Sequence, residues 1–543
     1  MWLIDTTTMK LDQVVDLNGN PYAILSHTWE EEEVTFQEFQ DLETAQQKKG
    51  FAKIRETCRL AASRGLQYAW VDTCCIDKSS SAEVSESINS MFRWYEKSSE
   101  CIVFLSDLPS SPDPDADFRR QFPECRWLTR GFTLQELIAP KCILFYDSEW
   151  GFRGTKQRWT SLISETTRID QDVLKDSEHL SSLPVGRRMS WASKRETTKE
   201  EDKAYCLLGI FDINMPLIYG EGPKAFTRLQ EEIAKQTCDL TLFAWRQEDP
   251  DPLYRGILAK SPSEFSHCGS LKHKVPDTDL TNEYTFTNKG LRIDTNLCIS
   301  LGRTKDFIWN LGCVDSSLEL RREHRGFLGV VVMKTTIGYV RVTPNLPLFE
   351  GGPEQYGPTI SGTIYMRGHL NKQQYELVNR RFQDAILIIL PDTLRIAAAA
   401  PEALWDQNRS MFLVHNHLVG INGYVRLELF EKFNNCALTS FIVGFSTMGP
   451  GAICAVWPQT NPVFPHIHEY MNSEKLAHFI AEDYFRWKFI HPETNTATSE
   501  TVVQIGSLAK SMIYIRVRIQ RQLSDPHRTY HLHVEVSRRS MLV

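Results

Sequence analysis

The chain has 543 residues, 42% hydrophobic and 24% charged, with a net charge of -7. That length exceeds one ordinary core and predicts roughly two to four domains, while the mild negative balance, spread without an acidic tail, excludes a basic nucleic-acid-binding face. The N-terminus "MWLIDTTTMK" lacks a basic segment followed by an apolar stretch, so no secretory signal is expected, and runs such as "AILIIL" are far short of the ~20 residues that cross a bilayer.

The first half alternates apolar strand runs with amphipathic helices. "YAILS" (22–26), "YAWVD" (68–72), "CIVFLS" (101–106) and "CILFYD" (142–147) read as buried strands. Between the first two, Phe51, Ile54, Cys58 and Ala61 form a helical face closed by Gly65. Between the second and third, Val84, Ile88, Met91, Phe92 and Tyr95 form another, with Ser80 and Glu83 as its capping box. This order predicts a parallel sheet covered on both faces, with a ligand crevice beyond the carboxyl ends of its strands. Each strand ends in a polar residue there: Ser26, Asp72, Ser106 and Asp147. "RGFTLQELIAP" (130–140) follows the third strand, and its Thr133 and Glu136 have capping-box spacing. Asp72 and Asp77 are expected to cap the turn and the next helix.

Residues 190–236 read as a mostly helical extension, in which the glycines of "GEGPKA" make a turn that starts a helix. The acidic, proline-containing stretch 246–255 reads as a linker. Beyond it, from 256 to 543, come the strand-like runs "YTFTNKGLRI", "GFLGVVVMKTT", "GTIYMRG", "AILIILPD", "YVRLELFEKF", "SFIVGF", "SMIYIRVRIQ" and "YHLHVEVS", which predict a β-rich sandwich or barrel-like domain. Three His-x-His pairs (His415/His417, His466/His468, His531/His533) each place two rings on one strand face, but no third ligand stands at motif spacing, so no metal is expected. Thirteen cysteines without a C-x-x-C pair predict reduced thiols in a cytoplasmic protein; adjacent Cys74 and Cys75 are read as packing.

Several stretches resemble the fungal heterokaryon-incompatibility (HET) domain: "YAILSHTW", "VTFQEFQD", "YAWVDTCCIDKSSSAEVSESINSMFRWY", "RGFTLQELIAP", "RMSWASKRETTKEEDKAYCLLGIF" and "MPLIYGEGPKAFTRLQEEI". They lie in the family's order across most of residues 1–245. More weakly, "GILAKSPSEF" and "FTNKGLRI" resemble the β-rich domain that often follows. Two positions depart from the family pattern: Glu30 where glycine usually follows "SHTW", and Phe132 where tryptophan is usual. The resemblance implies non-self recognition and cell death on fusion of unlike hyphae. With no phosphate-loop motif and no repeats, the chain is identified as a short-form member, acting with a protein partner or as a homo-oligomer through this domain.

The HET domain in turn resembles Toll/interleukin-1-receptor (TIR) domains, which have a flavodoxin-like strand order. Some of these cleave NAD with a glutamate in a segment that "FTLQEL" (132–137) resembles, which implies Glu136 as the catalytic acid. The same likeness puts "ILSHTW", with Ser26, His27 and Trp29, where TIR domains have their first strand and ligand-facing loop; Asp72 ends the second strand at the same crevice, Trp29 and Trp127 are read as stacking on nicotinamide or adenine, and Arg130 as meeting a phosphate or the acidic loop. NAD would be a substrate, with no other cofactor required. The alternative is a non-catalytic module acting through protein contacts, in which Glu136 serves only its capping box.

Overall fold

The computed structural model describes residues 1–17, 19–249, 252–274, 283–300, 306–317, 327–346, 349–351, 356–382, 384–414, 421–430, 437–447, 452–459, 488–489, 496–504, 512–522 and 529–539. Its N-terminal sheet has seven strands: β1 (Trp2–Asp5), β2 (Leu11–Gln13), β3 (Tyr22–His27), β4 (Tyr68–Trp70), β5 (Glu100–Phe104), β6 (Ile143–Tyr146) and β7 (Phe152–Thr155), in the order β2-β1-β4-β3-β5-β6-β7. The four apolar runs form its parallel centre, β3 pairing with β4 and β5, and β5 with β6. β1 and β2 on one edge and β7 on the other are antiparallel additions.

Every residue of β3 is buried, as expected of a central strand covered on both faces. Helix Ser81–Lys97 is locked across it by two tyrosines. The Tyr22 hydroxyl donates to the Trp94 carbonyl at 2.5 Å, and Tyr95 donates to the Leu25 carbonyl at 2.9 Å. Helix Phe51–Ser63 ends as its sequence predicts, with Gly65 in the left-handed region at φ 75°. Ser80 caps the next helix by accepting from the Glu83 amide, but Glu83 turns outward to accept from the Asp77 amide, so the box is not reciprocal.

The helical extension is less helical than expected. Helix occupies Val185–Ser190, Asp202–Tyr205 and Lys224–Gln236, and the segment between the last two is mostly turns. Leu207, Leu208, Ile210 and Phe211 are nonetheless buried. Gly209 explains the interruption: a Cβ there would lie 2.2 Å from the Phe92 Cβ, so the chain passes helix Ser81–Lys97 at backbone distance. The glycine turn before helix Lys224–Gln236 is filled from within, because the Glu201 carboxylate accepts from the Gly220 and Gly222 amides at 2.7 and 3.0 Å.

All eight strand runs expected after residue 256 are strands. Those up to Met366, joined by Tyr254–Arg255, form a mixed eight-stranded sheet whose apolar residues share one continuous core with the N-terminal sheet, from Leu3 to Met366. Six-stranded and five-stranded sheets between Ile386 and Arg539 enclose a second core, a sandwich arrangement. The stretch 246–255 is anchored at both ends. The Trp245 indole N–H donates to the Ile257 carbonyl at 2.6 Å, and buried Arg255 pairs with Glu264. Of the histidine pairs, His415/His417 and His466/His468 lie outside the described residues, and the His531 and His533 rings are 6.1 Å apart on one strand.

Candidate functional site at the carboxyl ends of the parallel strands

Glu136 sits in the short helix Thr133–Ile138, whose residues are all buried. The expected capping box does not form. The helix starts at Phe132 without a side-chain cap, and the Thr133 hydroxyl instead donates to the Trp127 and Arg130 carbonyls at 2.5 and 2.9 Å. The opening is held from outside by the extension: Arg195 donates to the Arg130 carbonyl at 2.7 Å and to the Thr133 hydroxyl at 2.8 Å. The Gly131 amide donates to the Glu196 carbonyl at 2.9 Å, and a Cβ on Gly131 would come 2.5 Å from the Thr197 methyl. At the other end, buried Lys156 donates to the Ile138 and Pro140 carbonyls at 3.0 and 2.9 Å, a cation at a helix C-terminus. With its backbone fixed at both ends, the helix needs no cap from Glu136.

The carboxylate points to the carboxyl end of β3. The Ser26 hydroxyl donates to its Oε2 at 2.5 Å and accepts from the Trp127 indole N–H at 2.7 Å. Glu136 is only 6% exposed, and no cation lies within ion-pair distance of it among the described residues. Burial pushes its pKa up to about 8; the charge on Asp72 adds to this, while Ser26, Arg195 and Tyr95 oppose it. Such an acid is stabilised mainly in its neutral form.

A second cluster lies at the end of β4. Asp72 meets His27 Nε2 at 3.0 Å and accepts from the Trp29 indole N–H at 2.7 Å. Burial alone would raise the Asp72 pKa, but His27, Lys78 and the indole N–H outweigh it and hold the carboxyl below its ordinary value. Trp29 is 51% exposed, with the Lys78 ammonium 3.7 Å from its ring centre.

The loop between the two clusters is strapped down by charge. Buried Lys53 reaches Glu33 at 2.5 Å, Glu30 at 3.0 Å and the Thr28 carbonyl at 3.2 Å. Glu30, the residue that departs from the HET pattern, also meets Arg126 at 3.4 Å, so its side chain ties the loop to the segment after β5.

Six of the seven expected site residues thus gather in two adjoining clusters: Ser26, Trp127 and Glu136, and His27, Trp29 and Asp72. Trp127 is fully buried with its ring edge on Phe145, so it offers no face to a ligand; its contribution is the N–H that orients Ser26. Arg130 stands apart, its guanidinium 3.3 Å from the Thr198 hydroxyl, and the acidic loop is paired by Lys53 and Arg126 instead. Asp77 binds the Ser79 amide and the Gln37 side chain as a turn cap. Asp147 caps its own turn and pairs with buried Arg153 at 2.7 Å. Cys74 and Cys75 are buried as packing. Tyr95, Arg195 and Lys53 carry no direct sign in the sequence of belonging to the candidate site. Tyr95 looked like one more apolar-face residue, and Arg195 lies about sixty positions from the helix it fixes.

Residues 22–121 match the heterokaryon incompatibility protein (HET) family, and residues 224–255 match a domain of unknown function (DUF8212). Across 236 residues, 42% of this chain, the sequence is 46% identical to vegetative incompatibility protein HET-E-1 of Podospora anserina. That stretch spans 17% of the length of the Podospora protein. The "VTFQEFQD" segment inside the match forms a capped turn, Thr35 and Glu38 satisfying each other reciprocally. The family's segments lie around the parallel centre of one sheet, and residues 22–121 of this chain hold a HET domain.

Proposed function

We propose that this chain acts in fungal heterokaryon incompatibility, in the cytoplasm, and that its HET domain is a TIR-like enzyme that cleaves NAD at the nicotinamide–ribose bond. The incompatibility role draws support from the HET match and from the likeness to the Podospora protein. The order β4-β3-β5-β6 of the parallel strands supports the flavodoxin-like, TIR-like reading. One observation carries the catalytic assignment: Glu136 is buried at the carboxyl end of the central strand, with no ion-pair partner among the described residues and no capping duty. A buried acid that the fold does not need carries a desolvation cost, and such groups concentrate at functional sites.

In the reaction the bond between nicotinamide N1 and ribose C1′ breaks with its electron pair leaving on the ring, which neutralises the pyridinium. Water then adds to C1′ and releases a proton. Ionised Glu136 stabilises the oxocarbenium-like sugar, with Ser26 orienting the carboxylate. Asp72 and His27 face the ribose hydroxyls, and Trp29 stacks on a base.

The closed loop favours a conditional activity. With Glu136 only 6% exposed and Glu30 strapped to Lys53 and Arg126, the resting chain keeps the acid covered and neutral. Self-assembly or a protein partner opens the loop and admits NAD. The same covering also suits a non-catalytic assembly module. The test is nicotinamide release from NAD by the full chain, at dilute and at high protein concentration, alongside Glu136→Gln. Release that rises with concentration and vanishes in the variant supports the enzyme. No release under either condition leaves only the assembly module, and equal release by the variant removes Glu136 from the reaction.

A further inference from the structure

A second site lies away from Glu136, where Tyr254–Lys260 meets the segment that leads into helix Lys372–Asn379. A cavity of about 310 Å³ opens there, lined by Tyr254, Lys260, His369, Asn371, Lys372 and Tyr375 among others. Its floor is tight. Leu258 donates its amide to the Gly368 carbonyl at 3.1 Å, and a Cβ on Gly256 would lie 2.0 Å from that same oxygen, so the two strands meet at backbone distance.

The charge around the cavity is one-sided. No described carboxylate lines it. Arg255 in its wall is neutralised by Glu264, but Lys260 and Lys372 have no acidic partner among the described residues. Arg381 adds a third such cation behind the wall, donating to the Tyr254 hydroxyl at 3.1 Å and to the Val378 carbonyl at 2.9 Å. In a chain of net charge -7, two lysines on one cavity without described acidic partners, backed by Arg381, favour an anion there. The tyrosine hydroxyls and the Asn371 amide add neutral donors, and the tilted Tyr254 and Tyr375 rings, 5.9 Å apart, supply an apolar side. A phosphate matches this set, because it takes several donors at once and needs more than one positive charge.

We propose that this cavity binds a small phosphate-bearing molecule. Its position gives the ligand a structural consequence. His369 on the rim bonds to the Thr227 hydroxyl at 3.1 Å, and Thr227 lies on helix Lys224–Gln236, inside the stretch matched to the domain of unknown function. A ligand in the cavity therefore bridges the strand Tyr254–Arg255 and the start of helix Lys372–Asn379, beside a rim already bonded to helix Lys224–Gln236.

Inorganic pyrophosphate, titrated calorimetrically into the full chain at low salt, is the direct probe. Saturable binding that weakens as salt rises, and that falls at least tenfold in Lys260→Ala/Lys372→Ala, is the expected result. Both lysines are exposed, so the variant should keep the wild-type melting temperature, and a matching circular dichroism spectrum checks its fold. Co-sedimentation with phosphatidylcholine vesicles, with and without phosphatidylinositol phosphate, separates the sources. Sedimentation that needs the phosphoinositide and is competed by pyrophosphate assigns a lipid headgroup; pyrophosphate binding without sedimentation assigns a free phosphorylated molecule. No saturable binding to wild type, or equal binding by the double variant, overturns the site. Neither result depends on NAD turnover.

Discussion

Glu136→Gln separates the acid's effect on stability from its effect on activity. In the folded chain its pKa is about 8, against an ordinary value of 4.5, so between those pH values the folded protein holds a proton that the unfolded chain has released. Stability from this group is therefore fully present below about pH 4.5, declines as pH rises, and is lost above about pH 8. At ~1.4 kcal/mol per unit, the whole window corresponds to at most about 5 kcal/mol; relaxation of the pocket on ionisation brings the expected change to roughly 2–3 kcal/mol. Glutamine keeps the acceptor for Ser26 and does not titrate. Urea unfolding of wild type and variant at unit steps from pH 5 to 9, followed by tryptophan fluorescence, reads the difference directly. The variant's stability relative to wild type should grow with pH by about 2 kcal/mol or more and level off above pH 8. Parallel curves would refute the burial argument. A wild type that gains on the variant as pH rises would show a carboxylate that is ionised and paired in the folded state.

If Glu136 acts as an ionised group, nicotinamide release should rise with pH through about 8; a flat profile between pH 6 and 9 would separate the rate from this carboxyl. Gln230→Ala should destabilise by about 2–3 kcal/mol and raise protease sensitivity near residues 246–260, because the Gln230 amide bonds both the N–H and the C=O of buried Ala259 at 2.9 Å. Asp147→Ala strands buried Arg153 and should cost roughly 3–5 kcal/mol in urea unfolding, with the site network unchanged. Gly209→Ala pushes a methyl into Phe92 and should lower the melting temperature, at a cost of about 1–3 kcal/mol.

The four central strands were legible in the sequence because each is a continuous apolar run between helical faces, a pattern that only a sheet covered on both sides satisfies. β1, β2 and β7 escaped notice because edge strands of three or four residues carry too little periodicity to stand out. The candidate site was legible as a list of residues: Ser26 and Asp72 follow from strand order, and Glu136 from its motif. Their roles were not. Thr133 and Glu136 have the spacing of a capping box, yet Arg195 and the Trp127 carbonyl claim the threonine while Ser26 claims the glutamate. Local spacing fixes which groups are able to meet, but the bonds that form depend on partners brought from up to about 110 positions away. Burial is likewise a property of the assembled sheet. The sequence determined that an acid stands after the third strand, and only the tertiary structure decided that it is covered, bonded to Ser26 and pushed toward its neutral form, because desolvation depends on everything packed around it.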